Sequence, residues 1–370
     1  MNYFLPVQMG APDMAKEIKF NQSPLARMGG KWKNLIWSLN YVNIYKINNK
    51  WLNSVYYCFR HYIYSTNKFK GYKGATSTIE INKYSTHSLP CPNGRERHNK
   101  EILAHYLAGL IEGDGYISIT NENRVILGIT FNLKDKPLAE KLLSYLGKGT
   151  IVKRKSNSIE LRFSSKKTLC NIIRLINGKF KTPKIEQLYN LIDWMNKNHL
   201  MNIEKLPLND NHILNDSWLS GFIDADGNFY IRNSLKQVIC KFALEQRMIY
   251  PKTNESYHLI LNKICLALNL KLNSRIRKDG INQKNNSYYI IKVENQNSIK
   301  LLIDYLETYP LLSSKHLDFL CWKIAFNEII NKNHMTVEGR KIVSEQKGQM
   351  NNSRTFFNWD HLNKFLCRLS

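Results

Sequence analysis

A chain of 370 residues with 54 Lys and Arg against 29 Asp and Glu carries a net charge of +25, on a composition that is 43% hydrophobic and 11% aromatic. That apolar content can build real cores, so an acidic disordered tail protein is excluded. The charge surplus makes a polyanion the first partner to consider, and the length allows two or three domains.

Residues 1–100 hold aromatic clusters (Trp32, Trp37, Tyr41, Tyr45) interrupted by Gly, Ser, Thr and Asn, and end in the linker-like "LPCPNGRERHNK". Partial order is expected there. From residue 101 the pattern sharpens. "ILAHYLAGLIEGDG" (102–115) is an apolar helix, and "YISIT" and "VILGITFNL" alternate as strands of a hairpin. "KPLAEKLLSYLG" is an amphipathic helix closed by Gly147. "GTIVKR" and "SIELRFS" form a second hairpin, and helices follow at 166–178 and 184–198. After a linker at 199–214 the same order returns: "WLSGFIDADG" (218–227), a hairpin, a helix, a hairpin and two helices. One αββαββα unit therefore occurs twice, in 101–198 and 215–335, with a C-terminal tail at 336–370. The fold class is α+β.

Seven cysteines lie at scattered positions with no C-x-x-C spacing, which argues against a disulfide framework and against structural zinc. The ten histidines show no paired ligand spacing. No apolar run reaches the 18 residues a spanning helix needs, so no membrane partner is expected.

The two apolar helices carry the sharpest signal. Each has small residues four apart: Gly109 and Gly113, then Gly221 and Ala225. A helix glycine costs about 1 kcal/mol relative to alanine, so two in a short helix imply close approach of another backbone. The duplicated helices should pack on each other about a pseudo-twofold axis. Each then ends in two carboxylates, Glu112 and Asp114 or Asp224 and Asp226. Acidic groups at the negative end of a helix dipole are unfavourable by roughly 0.3–1 kcal/mol each. Four of them converging at one axis call for a cation, and an oxygen-only donor set favours a hard ion such as Mg²⁺ or Ca²⁺.

"LAGLIEGDG" (107–115) and "LSGFIDADG" (219–227) resemble the doubled motif of the LAGLIDADG homing endonucleases, and the resemblance covers about residues 101–335. It implies a pseudo-twofold monomer in which two antiparallel saddle sheets sit on duplex DNA. It implies that the last acidic residue of each motif, Asp114 and Asp226, binds the catalytic divalent ions, Mg²⁺ or Mn²⁺, while Glu112 and Asp224 turn away or cap. It also implies a basic residue beside each site. Aligning "KTPKIEQL" with "LSSKHLDFL" gives Lys184 and Lys315, and aligning "TFNLKD" with "KFALEQ" places Asp135 and Gln246 in the solvent network.

A two-stranded ribbon fits the major groove. The strand residues available to base edges or phosphates are Asn132, Arg154, Arg162, Arg232, Lys241, Arg275 and Arg277. Arginine pairs bidentately with guanine and asparagine with adenine, whereas phosphate contacts position without specifying. The stretch "NYFLPVQMGAPDMA" (2–15) resembles a segment of the largest subunit of cytochrome c oxidase. It implies an upstream exon read into a group I intron, and hence a mitochondrial gene product. Two functions stay open: site-specific cleavage of double-stranded DNA that promotes intron homing, and RNA maturase activity on the chain's own group I intron. A cleavage-incompetent DNA binder is the third reading.

Overall fold

In the computed structural model the described residues are 94–366, apart from 121–123, 155–156 and 280–283. They fall in one compact unit of the chain, His87–Ser370. The expectations for residues 1–93, the oxidase-like stretch included, lie outside the described residues.

The first half runs α1 (Gly94–Asp114), β1 (Gly115–Ile119), β2 (Val125–Asn132), α2 (Lys136–Leu146), β3 (Thr150–Lys153), β4 (Ser158–Phe163), α3 (Lys166–Ile176) and α4 (Ile185–His199). The second runs α5 (Trp218–Asp226), β5 (Gly227–Asn233), β6 (Val238–Arg247), α6 (His258–Ala267), β7 (Asn273–Asp279), β8 (Lys284–Val293), α7 (Gln296–Thr308) and α8 (Lys315–Ile330). Each half holds one four-stranded antiparallel sheet, in the order β1-β2-β4-β3 or β5-β6-β8-β7. Alternation explains which face is which. Val125, Leu127, Ile129 and Phe131 of β2 and Ile159, Leu161 and Phe163 of β4 are buried on the helix side. Tyr116, Thr130, Glu160 and Arg162 occupy the opposite face.

Helix α1 begins seven residues before the boundary expected at 101. Arg95, Glu96 and Arg97 are good helix formers, and after Pro92 only Gly94, at the first position, disfavours a helix. At the other end residues 336–366 of the segment read as a tail are folded. Helix α9 (Val337–Gly348) packs on α8 and β5. Val343, Met350 and Leu362 join the core, the last from α10 (Asp360–Leu366). Thr336 caps α9 by accepting from Gly339 N (3.0 Å). The linker is irregular but tied down: Tyr189 Oη donates to Leu206 O (2.9 Å), and Asn177 Nδ2 donates to Glu204 O (2.7 Å).

The halves meet through α1 and α5, and the glycines set how closely. A Cβ on Gly109 would lie 2.0 Å from Trp218 O, and one on Gly221 would lie 1.9 Å from Tyr106 O. Toward the C-termini, a Cβ on Gly113 would lie 2.1 Å from the Ala225 Cβ. Both clashes at Gly109 and Gly221 are with backbone, which cannot rotate away. Gly109→Ala or Gly221→Ala is therefore expected to cost at least the ~1–3 kcal/mol of an overpacked core, read as a lowered midpoint in chemical denaturation. A cost under ~0.5 kcal/mol would contradict the close helix crossing.

Candidate active site and nucleic-acid interface

Crossing α1 and α5 brings Asp114 and Asp226 to one place. Asp226 Oδ2 lies 3.4 Å from where a Cβ on Gly113 would sit. Asp114 is exposed at the end of its helix and Asp226 half-buried, yet both are crowded by protein. Burial pushes the Asp226 carboxyl up to about 6, and the Asp114 carboxylate adds to the rise. Burial likewise raises Asp114, against the lowering fields of Lys315 and Lys184.

Asp224 lines the same cavity as Asp114, but Glu112 and Asp224 are both engaged as caps, as the resemblance implies, so the four carboxylates do not form one open cluster at the axis. They are buried and receive the loops that precede α4 and α8. Glu112 accepts from Lys181 N (3.0 Å) and Thr182 N (2.6 Å). Asp224 accepts from Leu312 N (2.7 Å), Ser313 N (3.1 Å) and Ser313 Oγ (2.5 Å). Each also takes a donor from the opposite helix: Trp218 Nε1 donates to Glu112, and Tyr106 Oη donates to Asp224 (2.7 Å). Tyr106 and Trp218 immediately precede their motifs and are 112 positions apart, like Asp114 and Asp226. That repeat is the signal in the sequence for this exchange. Burial raises Glu112 to about 7 against its hydrogen-bond donors.

The loops so held deliver two lysines. Lys184 Nζ donates to Gly113 O and Gly115 O (both 2.9 Å) and to Ile111 O (3.3 Å). Lys315 Nζ donates to Ala225 O (2.7 Å) and Ile223 O (3.2 Å). Each ammonium thus caps the carbonyl end of a motif helix, where a cation offsets the dipole. Burial lowers both lysines, and the site carboxylates oppose that. Among the carboxylates Asp226 acts most on Lys184, ahead of Glu112 and Asp114, and Asp224 acts most on Lys315, ahead of Asp114 and Asp226.

On one side a cavity of about 180 Å³ is lined by Asp114, Asp135, Ser314, Lys315, Asn132 and Lys134 among others. Asp135 Oδ1 accepts from Ser314 N across the halves (2.7 Å). Gln246 belongs to the other side, where its side chain is hydrogen-bonded to Tyr257 beside Asp226. The register corrects the alignment that equated Asp135 with Gln246. Gly115 pairs with Ile129 and Gly227 with Leu244, so Gln246 corresponds to Phe131, and Asn132 to Arg247 rather than Ala243. Asp135 instead comes from the turn after β2, as a non-equivalent second carboxylate.

Among the described residues no three His, Cys, Asp or Glu side chains are arranged to enclose a metal. Two mutually repelling carboxylates at a solvent-open helix end still suit a hard divalent ion. Mg²⁺ is held by one or two carboxylates and keeps water and phosphate oxygens for its other positions.

The expected DNA-contacting residues lie on or beside the outer sheet faces, and most are paired. Arg154 and Arg162 both bind Glu160, Arg162 through Nε (2.7 Å) and Nη2 (2.6 Å). Arg275 bonds Glu245 through Nε (2.7 Å), and Arg277 Nε lies 3.2 Å from the same carboxylate. Lys241 Nζ pairs with Glu294 (2.9 Å). Asn132 is exposed and accepts from Lys134 N (3.2 Å). Arg232 projects from β5 at an exposed position.

The LAGLIDADG endonuclease family pattern matches residues 107–195 and 219–326. The chain is 32% identical over 303 residues to the intron-encoded DNA endonuclease aI3 of Saccharomyces cerevisiae, covering 71% of this chain and 73% of that one. A shorter stretch of 134 residues, 35% of this chain and 20% of the other, is 31% identical to the intron-encoded RNA maturase bI4 of the same yeast. Among solved structures, the LAGLIDADG homing endonuclease I-GzeII in complex with its DNA target shares the fold. The TM-score is 0.53 at 19% identity, over 68% of this chain and 99% of that one. A motif pattern spanning both halves, over the duplicated sheet-and-helix frame it requires, places this chain in the LAGLIDADG endonuclease family.

Proposed function

We propose that the chain cuts both strands of a specific duplex DNA site by divalent-ion-assisted hydrolysis and so promotes homing of its host intron. The observation that carries this reading is the pairing of Asp114 with Asp226 at the crossing of α1 and α5, with Lys184 and Lys315 held against the carbonyl ends of those two helices. Asp114 and Asp226 would hold the ions, Mg²⁺ or Mn²⁺. When bound, such an ion supplies a Lewis acid for the phosphoryl oxygen and lowers the pKa of water. Lys184 and Lys315 stabilise negative charge developing at the scissile phosphate while holding the helix ends rigid. Asp135 and Gln246 orient water from non-equivalent positions on the two sides. The basic outer faces bind phosphates of about two turns of duplex. A single chain supplies both halves of this site, so a monomer suffices.

The test is conversion of a supercoiled plasmid carrying joined exon sequence to linear product. Mg²⁺ should support it, and EDTA should stop it while leaving the gel shift in place. Failure of Mg²⁺ or Mn²⁺ to support any cleavage by a protein that still shifts the DNA would overturn the reading. A second reading, binding of the chain's own group I intron RNA as a maturase, is supported by the similarity to the yeast RNA maturase. Faster self-splicing of that RNA on addition of protein would support it. A mitochondrial site of action rests on the oxidase-like stretch at 2–15.

A pH dependence follows. Ligation needs Asp226 ionised, and in the ion-free protein it titrates near 6. Mg²⁺ affinity should rise with pH through about 6, with proton release on binding below that pH. The sign for stability is opposite. Asp226 and Glu112 titrate above their ordinary values, so the ion-free protein loses stability as pH rises from about 4 to about 7. Calorimetric titration of Mg²⁺ in two buffers of different ionisation enthalpy reads the proton. Affinity independent of pH from 5 to 8 would contradict the assignment of Asp226.

A further inference from the structure

Each outer sheet face has a glutamate at its centre, although a carboxylate opposes the cationic neutralisation on which phosphate binding depends. On the first sheet Glu160 projects from β4, its side chain 3% exposed. Its register neighbours are Thr130 on β2 and Val152 on β3. Three groups converge on it. Arg162 lies two residues along the same strand, Arg154 follows β3, and Tyr116 Oη comes from β1. Tyr116 reaches it by lying over Gly128, its cross-strand partner, where a Cβ would meet the tyrosine ring at 2.5 Å. The network therefore crosses all four strands and depends on one missing side chain. Burial pushes the Glu160 carboxyl up, but hydrogen bonds from Tyr116 and Arg162 outweigh it and hold the group below the usual range.

The second sheet repeats the device from a different strand. Glu245 of β6 holds Arg275 through two hydrogen bonds and Arg277 through one ion pair, both arginines coming from β7. The Arg277 guanidinium also lies 5.9 Å from the centre of the Tyr288 ring. By register Glu245 corresponds to Thr130 and Glu160 to Ile290. The two glutamates are thus not copies of one ancestral residue, yet each sits mid-sheet and gathers two arginines.

An unpaired arginine on a flat sheet swings among phosphates and loses side-chain entropy on binding. One whose Nε and Nη2 edge is tied to a carboxylate keeps its remaining N–H groups in a fixed direction. Reading guanine O6 and N7 needs donors so fixed. The paired carboxylate also cancels part of the charge that would bind any duplex.

Resting on the DNA-cleavage reading, we infer that Glu160 and Glu245 are specificity-determining positioning residues. They hold Arg162 and Arg275, each tied through its Nε and Nη2 edge, in fixed poses to read base edges in the two half-sites, gather Arg154 and Arg277 on the same carboxylates, and suppress binding to non-cognate duplex.

The test uses the full chain and duplexes randomised over about two turns, selected for binding without divalent ion by the wild type, Glu160→Gln and Glu245→Gln. Glutamine keeps the size and one acceptor but removes the charge. In Glu160→Gln the base preference under the first sheet should fall by roughly tenfold, the order a bidentate arginine contact supplies. The half-site under the second sheet should keep its preference, and Glu245→Gln should show the reverse pattern. Affinity for random duplex should rise in both, with a steeper salt slope by about one phosphate's worth for each arginine released. Tyr116→Phe, which leaves both arginine pairs in place, should preserve the preference. Uniformly tighter binding with unchanged preference in both half-sites would overturn the inference and leave charge alone. Loss of preference across both half-sites from either single change, with melting temperatures unchanged, would also overturn it. If the wild type itself selects no sequence, the DNA reading fails instead.

Discussion

Asp114→Asn and Asp226→Asn should each lower double-strand cleavage by about 10²–10³-fold or more, the cost of losing one preorganised charge stabiliser. Duplex affinity should stay within about twofold, because phosphate contacts come from the sheets. Asparagine preserves the shape of the site and one acceptor oxygen but cannot carry the charge that recruits a divalent ion. The pair is also coupled. Part of the rise in Asp226 comes from the Asp114 carboxylate, so Asp114→Asn should let Asp226 titrate lower, visible as a shift of its carboxyl resonance in a pH titration. A mutant that still cuts both strands at the wild-type rate would show that the ions are held elsewhere.

Glu112→Ala and Asp224→Ala should act on the fold. Each removes a buried carboxylate that ties three elements together: its own motif helix, the loop ahead of α4 or α8, and the opposite helix through Trp218 or Tyr106. The donors left behind are buried, and stranding them costs about 1–3 kcal/mol each. The expected loss is about 3–5 kcal/mol of unfolding free energy, measured by urea titration, with cleavage lost only as the loops release Lys184 or Lys315. A loss below ~1 kcal/mol would mean that those loops hold their shape without the carboxylates.

The duplicated motif was legible because it repeats: helix, acidic end, glycine and strand recur 112 positions apart. The glycine spacing foretold the crossing of α1 and α5 because a backbone clash leaves no alternative residue. Other features were hidden for identifiable reasons. Strand register is set by hydrogen bonding, and the longer strands β5 and β6 of the second hairpin shift it by residues that apolar alternation cannot count. That is why Asp135 and Gln246 match in the strings "TFNLKD" and "KFALEQ" but stand at different places. Glu160 and Glu245 read as ordinary strand polar residues, since nothing in one strand says which arginines of another will face it. The terminal helices α9 and α10 were missed because a short polar segment with a few apolar residues matches a tail as well as a docked helix.

The measurement that bears most directly on the account is cleavage of two alleles side by side. Full-length protein is incubated with Mg²⁺ and oxidase-gene DNA, one sample intronless and one interrupted by the host intron. A double-strand break is expected in the intronless DNA alone, lost with EDTA and lost in Asp114→Asn and Asp226→Asn. Cutting of both alleles alike, or a break that persists in either mutant at the wild-type rate, would contradict that expectation.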